Sequence, residues 1–184
     1  MATRPAARHD AGRAFAQPAS RIVTAEPYEP SDVAALASDF LCSLTVDVGA
    51  LVTLGQGPYG ERRFVPIVGG RVSGPHLRGV VVPGGADWQI ARADGVLDVD
   101  AHYSLLLDDG ARVEIASVGM RHGAPQVLER LGRGEAVDPS DYFFRTFVRF
   151  QTGAPRLDFL NRTMGVAVGA RHSDRVELTL HAIG

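Results

Sequence analysis

Lysine is absent from the 184-residue chain, so all 19 of its basic side chains are arginine. Biased composition accounts for that, but the chemical exclusion holds either way. Without an amine side chain there is no internal Schiff base with pyridoxal phosphate or a carbonyl substrate, and no phosphate-loop lysine. Cysteine is almost absent as well: Cys42 stands alone, so no intramolecular disulfide can form and a cytoplasmic location is expected. Long apolar runs are missing. MATRPAARHDAGRAFAQPAS lacks the apolar stretch of about 7–15 residues that a secretory signal needs, and no segment approaches the ~20 apolar residues of a membrane span. Nor is there an excess of positive charge: the formal charge is −2 and the pI is near 6.3. Nucleic acid and membrane partners are therefore not expected, because both need a concentrated positive field.

Metal-ligand spacing is lacking too. Among His9, His76, His102, His122, His172 and His181 no pair stands at the i, i+2 or i, i+4 separation that sets two ligands around zinc, so no metal site is expected. No G-x-S-x-G elbow occurs, and Cys42 has no electropositive neighbours in sequence to make it a nucleophile. Acids, histidine and arginine are left to carry any chemistry, without a cofactor.

What the chain has is a β pattern. Residues 1–31 are rich in Ala, Arg and Pro without periodicity and read as a flexible tail; residues 32–184 read as one domain. From Phe40 onward, β-branched and aromatic runs are cut at short intervals by Gly, Pro and Asp, as in an antiparallel meander. About eight strands are expected, near 40–54, 62–73, 77–91, 96–107, 111–121, 141–151, 163–171 and 175–183. PQVLERLGRG spaces Val127, Leu128 and Leu131 on one helical face, which predicts a short lid helix stopped near Gly132. The expected fold class is thus all-β: an antiparallel meander closed into a roughly eight-stranded barrel with one short helix, wrapped around a small-molecule pocket. A two-sheet sandwich is the alternative. In YFFRTFVRFQ, Tyr142, Phe144, Val148 and Phe150 share one face while Phe143 and Phe147 lie on the other with Arg145, Arg149 and Gln151. Apolar residues on both faces predict that both are covered, and with that a homodimer.

Candidate chemistry lies in a few places. The glycine-rich GQGPYGERRFVPIVGGRVSGP lacks the spacing and the following helix of a phosphate loop; hairpin turns and barrel-corner kinks account for it better. In PGGADWQIARADG an acid and the only tryptophan follow a Gly-Gly kink. Asp87 there is either a pocket carboxylate fit for acid or base catalysis, or a turn cap beside a core Trp88. His102 is a candidate proton carrier, although its parity with Asp100 and Ser104 favours a solvated position. Arg121 shares parity with Val113, Ile115 and Ser117, so an inward face would let it hold a carboxylate or enolate oxygen; a structural ion pair is the other reading. Arg145 would need an acid or a ligand if buried.

The ordered motifs GPYGERRFVPIVGGRVSGP, VVPGGADW, DDGARVEI, GEAVDPSDYFFRT and FLNR resemble family 3237 of the domains of unknown function, from about Leu44 to the C-terminus. The resemblance implies an antiparallel β-barrel, often paired into a dimer, whose cavity is lined from the ADW and YFRT motifs. It also implies a place in natural-product metabolism, with isomerisation or intramolecular acyl transfer and no cofactor; cyclisation is a further expectation from the acids, histidine and arginines themselves. Tyr59, Glu61, Trp88, Ser117, Gln151 and Asn161 are the expected substrate contacts, and Asp87, His102, Arg121 and Arg145, from the reading of the residues above, the expected catalytic groups. Four positions depart from the family pattern: His102 stands where an arginine is usual, Gln151 replaces an acid, Ser117 an asparagine and Phe159 a tryptophan. The expected function is a cofactor-independent enzyme acting on an oxygenated small molecule. A lipocalin-like binding protein or a purely structural interaction domain are the alternatives.

Overall fold

The computed structural model describes residues 36–184; the tail expected over residues 1–31 lies outside the described residues. Alternation writes the strands. In LDVDAHYSLLL, which forms β5 (Leu97–Leu107), Leu97, Val99, Tyr103, Leu105 and Leu107 are buried while His102 between them is exposed. The other strands are β1 (Ser38–Val48), β2 (Val52–Gly57), β3 (Gly60–Ser73), β4 (Gly79–Ala91), β6 (Arg112–Gly123), β7 (Tyr142–Gln151), β8 (Met164–Arg171) and β9 (Arg175–Ile183). All pair antiparallel in the order β1-β9-β8-β7-β6-β5-β4-β3-β2, and β1 also pairs with β3, which closes the sheet.

The barrel has eight positions because β1 and β2 share one. β2 pairs with β3 at Gly60–Phe64, and β1 pairs with the same edge of β3 further on, from Ile67 to Ser73. The single first strand expected over 40–54 is therefore broken around Gly49–Leu51. Pro66 supplies the reason: lacking an N–H, it can only accept there, from the Gly49 amide at 2.8 Å, and the ladder is interrupted. Eight strands leave an interior that side chains and one small ligand can fill.

One end of that interior is filled. Leu41, Leu44, Leu77, Leu105, Val113, Ile115, Phe150 and Leu180 form the larger core cluster, joined by Leu157 and Leu160 from a 3-10 helix at Pro155–Arg162. That helix was not expected from sequence, since it has no long periodic stretch. Burying its two leucines is worth about 1.5–3 kcal/mol each, enough to hold a short segment across the barrel's end. The predicted helix forms as α1 (Pro125–Gly132), with Leu131 buried and Val127 and Leu128 against a second cluster of Leu97, Val99, Tyr142 and Phe144.

Glycines set the barrel's corner. The register of β3 on β4 shifts between Pro66 and Arg71, and that of β4 on β5 between Val82 and Ala86, so neighbouring strands bend together at Gly69–Gly70 and Gly84–Gly85. Gly70 has φ +139°, and a Cβ there would meet the Thr45 carbonyl oxygen at 2.0 Å. Gly70→Ala is expected to cost about 2–4 kcal/mol and to lower the melting temperature by about 5–15 °C. A melt within two or so degrees of wild type would contradict this assignment of the corner.

The outer face of β7 is open within the single chain. Phe147 is 62% exposed, and Phe143, Val118, Met120, Met164 and Val168 are exposed around it on β6, β7 and β8. Apolar composition on both faces therefore does not mean that one chain covers both.

Candidate active site

Above the filled end the inward residues change from leucine and valine to polar groups. They line a cavity of about 220 Å³. Its polar lining comes from Arg63 on β3, Asp87 and Gln89 on β4, Tyr103 on β5, Ser117 and Arg121 on β6, Thr146 on β7 and Arg171 on β8. Strand register explains the grouping. Asp87, Ala101 and Ser117 stand in one row across β4, β5 and β6; Arg63, Gln89, Val99, Gly119 and Thr146 form the next. Ala101 and Gly119 keep the middle of these rows short, and Leu131 and Gly132 of α1 reach the same space.

Asp87 is held from both sides. Its Oδ1 accepts from the Asp100 amide at 3.2 Å and its Oδ2 from Gln89 Nε2 at 2.6 Å. The Gln89 amide is oriented in turn, since its Oε1 accepts from Arg63 Nε at 3.2 Å. Burial raises the proton affinity of Asp87 above the usual carboxylate range, and the Gln89 bond, the Asp100 amide and the Arg121 charge oppose that without cancelling it. Arg121 is perturbed the other way. Burial, together with repulsion from Arg171 and Arg63, lowers its pKa to about 10, against smaller attractions from Tyr142 and Asp87. It stays a cation at neutral pH, and its Nε is buried with no partner among the described residues. Arg171 is lowered by burial, and among the described residues its guanidinium donates to the carbonyls of Arg175 and Ser173, each at 3.3 Å.

Three hydroxyls complete the lining. Ser117 donates to Thr146 at 2.9 Å, which leaves the Thr146 proton free to donate into the cavity. Tyr103 is buried, with its hydroxyl unpartnered among the described residues and its acidity suppressed by burial. Such orphaned buried donors are costly unless something polar occupies the space they face. Burial also pushes the Cys42 thiol up to about 12, and Cys42 lies in the apolar cluster. Among the described residues no group of three or more His, Cys, Asp or Glu side chains is placed to hold a metal ion.

Of the residues singled out from sequence, the structure brings Asp87, Ser117 and Arg121 together. It places the others elsewhere. His102 has the parity opposite to Tyr103 and faces out, with Nε2 2.9 Å from Asp100 Oδ1. Arg145 lies between inward Phe144 and Thr146, so it also faces out, donating to the Phe144 carbonyl at 2.8 Å with its guanidinium over Phe143. Trp88, between Asp87 and Gln89, stacks outside on Phe64 and under Arg62. Tyr59 sits in the turn between β2 and β3, 79% exposed. Glu61 stands one step along the face of Arg63, accepting from Thr53 at 2.9 Å and lying 3.4 Å from Arg63 Nη1. Gln151 is exposed at the far end of β7, and Asn161 fastens the adjoining turn through both the amide and the carbonyl of Thr152. Sequence reasoning missed Arg63, Gln89, Tyr103, Thr146 and Arg171. For the first four the signal was parity: each alternates in step with an inward residue already recognisable on its strand, as Gln89 does with Asp87 and Thr146 with Phe144 and Val148.

Residues 36–183 match the family model described as "Protein of unknown function (DUF3237)". A "UPF0311 protein" of Rhodopseudomonas palustris is 39% identical over 148 residues, covering 80% of this chain and 97% of that one. The crystal structure of a conserved protein of unknown function from the same species superposes with a TM-score of 0.78 at 38% identity, over 83% of this chain and 99% of the other. A "beta-barrel like protein" of Acinetobacter baumannii gives 0.72 at 33% identity, over 85% and 99% of the two chains. "An enzyme from Penicillium herquei" gives 0.64 at 21% identity, over 85% and 100%; at that distance the likeness is one of fold.

Proposed function

This chain belongs to the DUF3237 family, and on that premise we propose that its cavity is the active site of a cofactor-independent enzyme that moves a proton on an oxygenated small molecule. The outcome is isomerisation, cyclisation or intramolecular acyl transfer, in specialised metabolism within the cytoplasm. The observation that carries this reading is a partly buried carboxylate and a partly buried guanidinium, its Nε without a partner among the described residues, facing one small cavity. Ionised Asp87 accepts a proton from a carbon adjacent to a carbonyl, or from a hydroxyl as its oxygen adds to the carbonyl carbon. The bonding pair moves toward the carbonyl oxygen, where Arg121 and the hydroxyls of Thr146 and Tyr103 donate to the developing charge. Protonated Asp87 returns the proton at a second position, so base and acid are the same group. A fold neighbour that is an enzyme supports catalysis over passive carriage, for which an apolar lining would suffice.

The test is solvent deuterium incorporation next to the carbonyl of 2-oxobutyrate or levulinate, followed by NMR with and without protein. Catalysed exchange supports the reading, and binding of these probes without exchange favours the carrier. The pH dependence has a definite sign. Since the base form is active, the rate should rise through a pKa above the ordinary carboxylate range. Stability should move the opposite way: a raised folded pKa means that the contribution of Asp87 is full below the normal carboxylate pKa and lost as pH rises through the raised one. The melting temperature of Asp87→Asn relative to wild type should therefore increase across that window. A constant difference would contradict the raised value.

We propose further that two copies pair through the open apolar face of β6, β7 and β8, where Val118 and Phe147 stand opposite each other in register. Light scattering at micromolar concentration should give a dimer, and Phe147→Arg should give a monomer because the interface would bury an unpaired charge. A wild-type monomer overturns the pairing.

A further inference from the structure

The cavity's charges do not balance. Among the described residues Arg63, Arg121 and Arg171 line it against one carboxylate, Asp87. Glu61 beside the cavity offsets Arg63 at 3.4 Å; Asp174 also attracts Arg171, but it is exposed and paired with Arg175 at 3.2 Å, so inside the cavity Arg121 and Arg171 face Asp87. Among the described residues neither of those two guanidiniums is hydrogen-bonded to a carboxylate: Arg171 reaches the carbonyl oxygens of Arg175 and Ser173, and Arg121 Nε reaches nothing. The reaction cannot correct the imbalance. When Asp87 takes a proton from a neutral molecule, the carboxylate is neutralised as the substrate becomes an anion, so the total charge in the cavity is the same before and after the step. A neutral substrate therefore leaves one partly buried cation uncompensated throughout, a costly state away from bulk water.

We infer that the substrate carries a permanent carboxylate, seated on Arg121 and Arg171, in addition to the group that exchanges its proton with Asp87. This rests on the proton-transfer reading of the same cavity. Arg121 is four residues beyond Ser117 along β6, whereas Asp87 stands in the row of Ser117, so the anion seat and the proton acceptor occupy different levels of the barrel. An anion held at one level fixes the reacting carbon at the other, and binding energy far from the chemistry is turned into orientation. Charge and the paired backbone around the cavity both select a carboxylate over a phosphate. A monoanion matches the surplus, and a planar guanidinium pairs with carboxylate in two-pronged fashion. Phosphate sites draw on free main-chain N–H groups at helix N-termini or glycine loops. Here the lining strands have their backbones paired in the barrel, and α1 presents its C-terminal residues Leu131 and Gly132.

The test compares acids with their uncharged amides on the full chain. Thermal shift and calorimetry are run with 2-oxobutyrate, levulinate and benzoate, with the matching amides, and with inorganic phosphate. At least one acid should bind about tenfold or more tighter than its amide and raise the melting temperature, while phosphate does not. Arg121→Met should abolish that preference, and Arg121→Lys, which keeps the charge, should retain part of it. The inference is overturned if acids and amides bind alike, if no acid of the series binds, if phosphate matches the acids, or if Arg121→Met keeps the preference. Deuterium exchange in the same samples separates the two ideas: acid-selective binding without exchange sinks proton transfer and leaves the carboxylate seat standing, and exchange without acid selectivity does the reverse.

Discussion

Asp87→Asn is expected to lower turnover by about two to four orders of magnitude while ligand affinity changes by less than about tenfold. The substitution keeps the shape of the side chain, and its remaining oxygen can still accept from the Asp100 amide as Oδ1 does now at 3.2 Å. What it removes is the proton acceptor, a group whose contribution is made in the transition state more than in the bound ground state. It also sets an amide NH2 against the NH2 of Gln89, which now donates to Asp87 at 2.6 Å. Gln89 cannot simply turn over, because its oxygen is engaged by Arg63. The Arg63–Gln89–Asp87 chain is thus arranged around an anionic acceptor at its end. Turnover and affinity measured side by side decide the matter. Wild-type turnover in the variant would remove Asp87 from the mechanism, and a wild type that binds its ligand without reaction would favour the carrier.

Arg121→Lys is expected to reduce turnover by about one to three orders of magnitude, in the range seen when a preorganised donor to a developing oxyanion is lost. An ammonium keeps the positive charge but not the planar pair of donors, and it cannot lie against Phe144 as the guanidinium does, 6.0 Å from the ring centroid. Arg145→Lys is the control. Its guanidinium is on the outer wall over Phe143, so kcat should stay within about twofold of wild type, a change worth only a few tenths of a kcal/mol. Equal losses in the two variants would show that the effect of arginine replacement is general rather than local to the cavity.

The barrel was legible because its turns are written in residues with special backbone freedom, and its strands in strict alternation. The closure was harder to read: the break opposite Pro66 depends on which strand Pro66 faces, a long-range fact, and the 3-10 helix at Pro155–Arg162 is held by two buried leucines rather than by periodicity. The site was legible at Asp87 and Arg121, where an unusual residue coincides with inward parity. It was obscured at Trp88, Tyr59 and Asn161, whose surroundings in the motifs stand out for turn and wall geometry instead. Gly60 beside Tyr59 has φ +136°, Trp88 shields Phe64 on the outside, and Asn161 closes the turn at Thr152. Arg171 was invisible for another reason: it lies at the end of a strand of small residues, and its place in the cavity depends on β8 pairing between β7 and β9.

The most direct measurement is the rate of solvent deuterium incorporation into a small oxo acid, taken as a function of pH for wild type and Asp87→Asn. Proton transfer at a buried Asp87 predicts catalysed exchange that rises through a pKa above the ordinary carboxylate range and falls to near background in the variant. Exchange that is equal in the two proteins, or that shows no such pKa in the wild type, would contradict it.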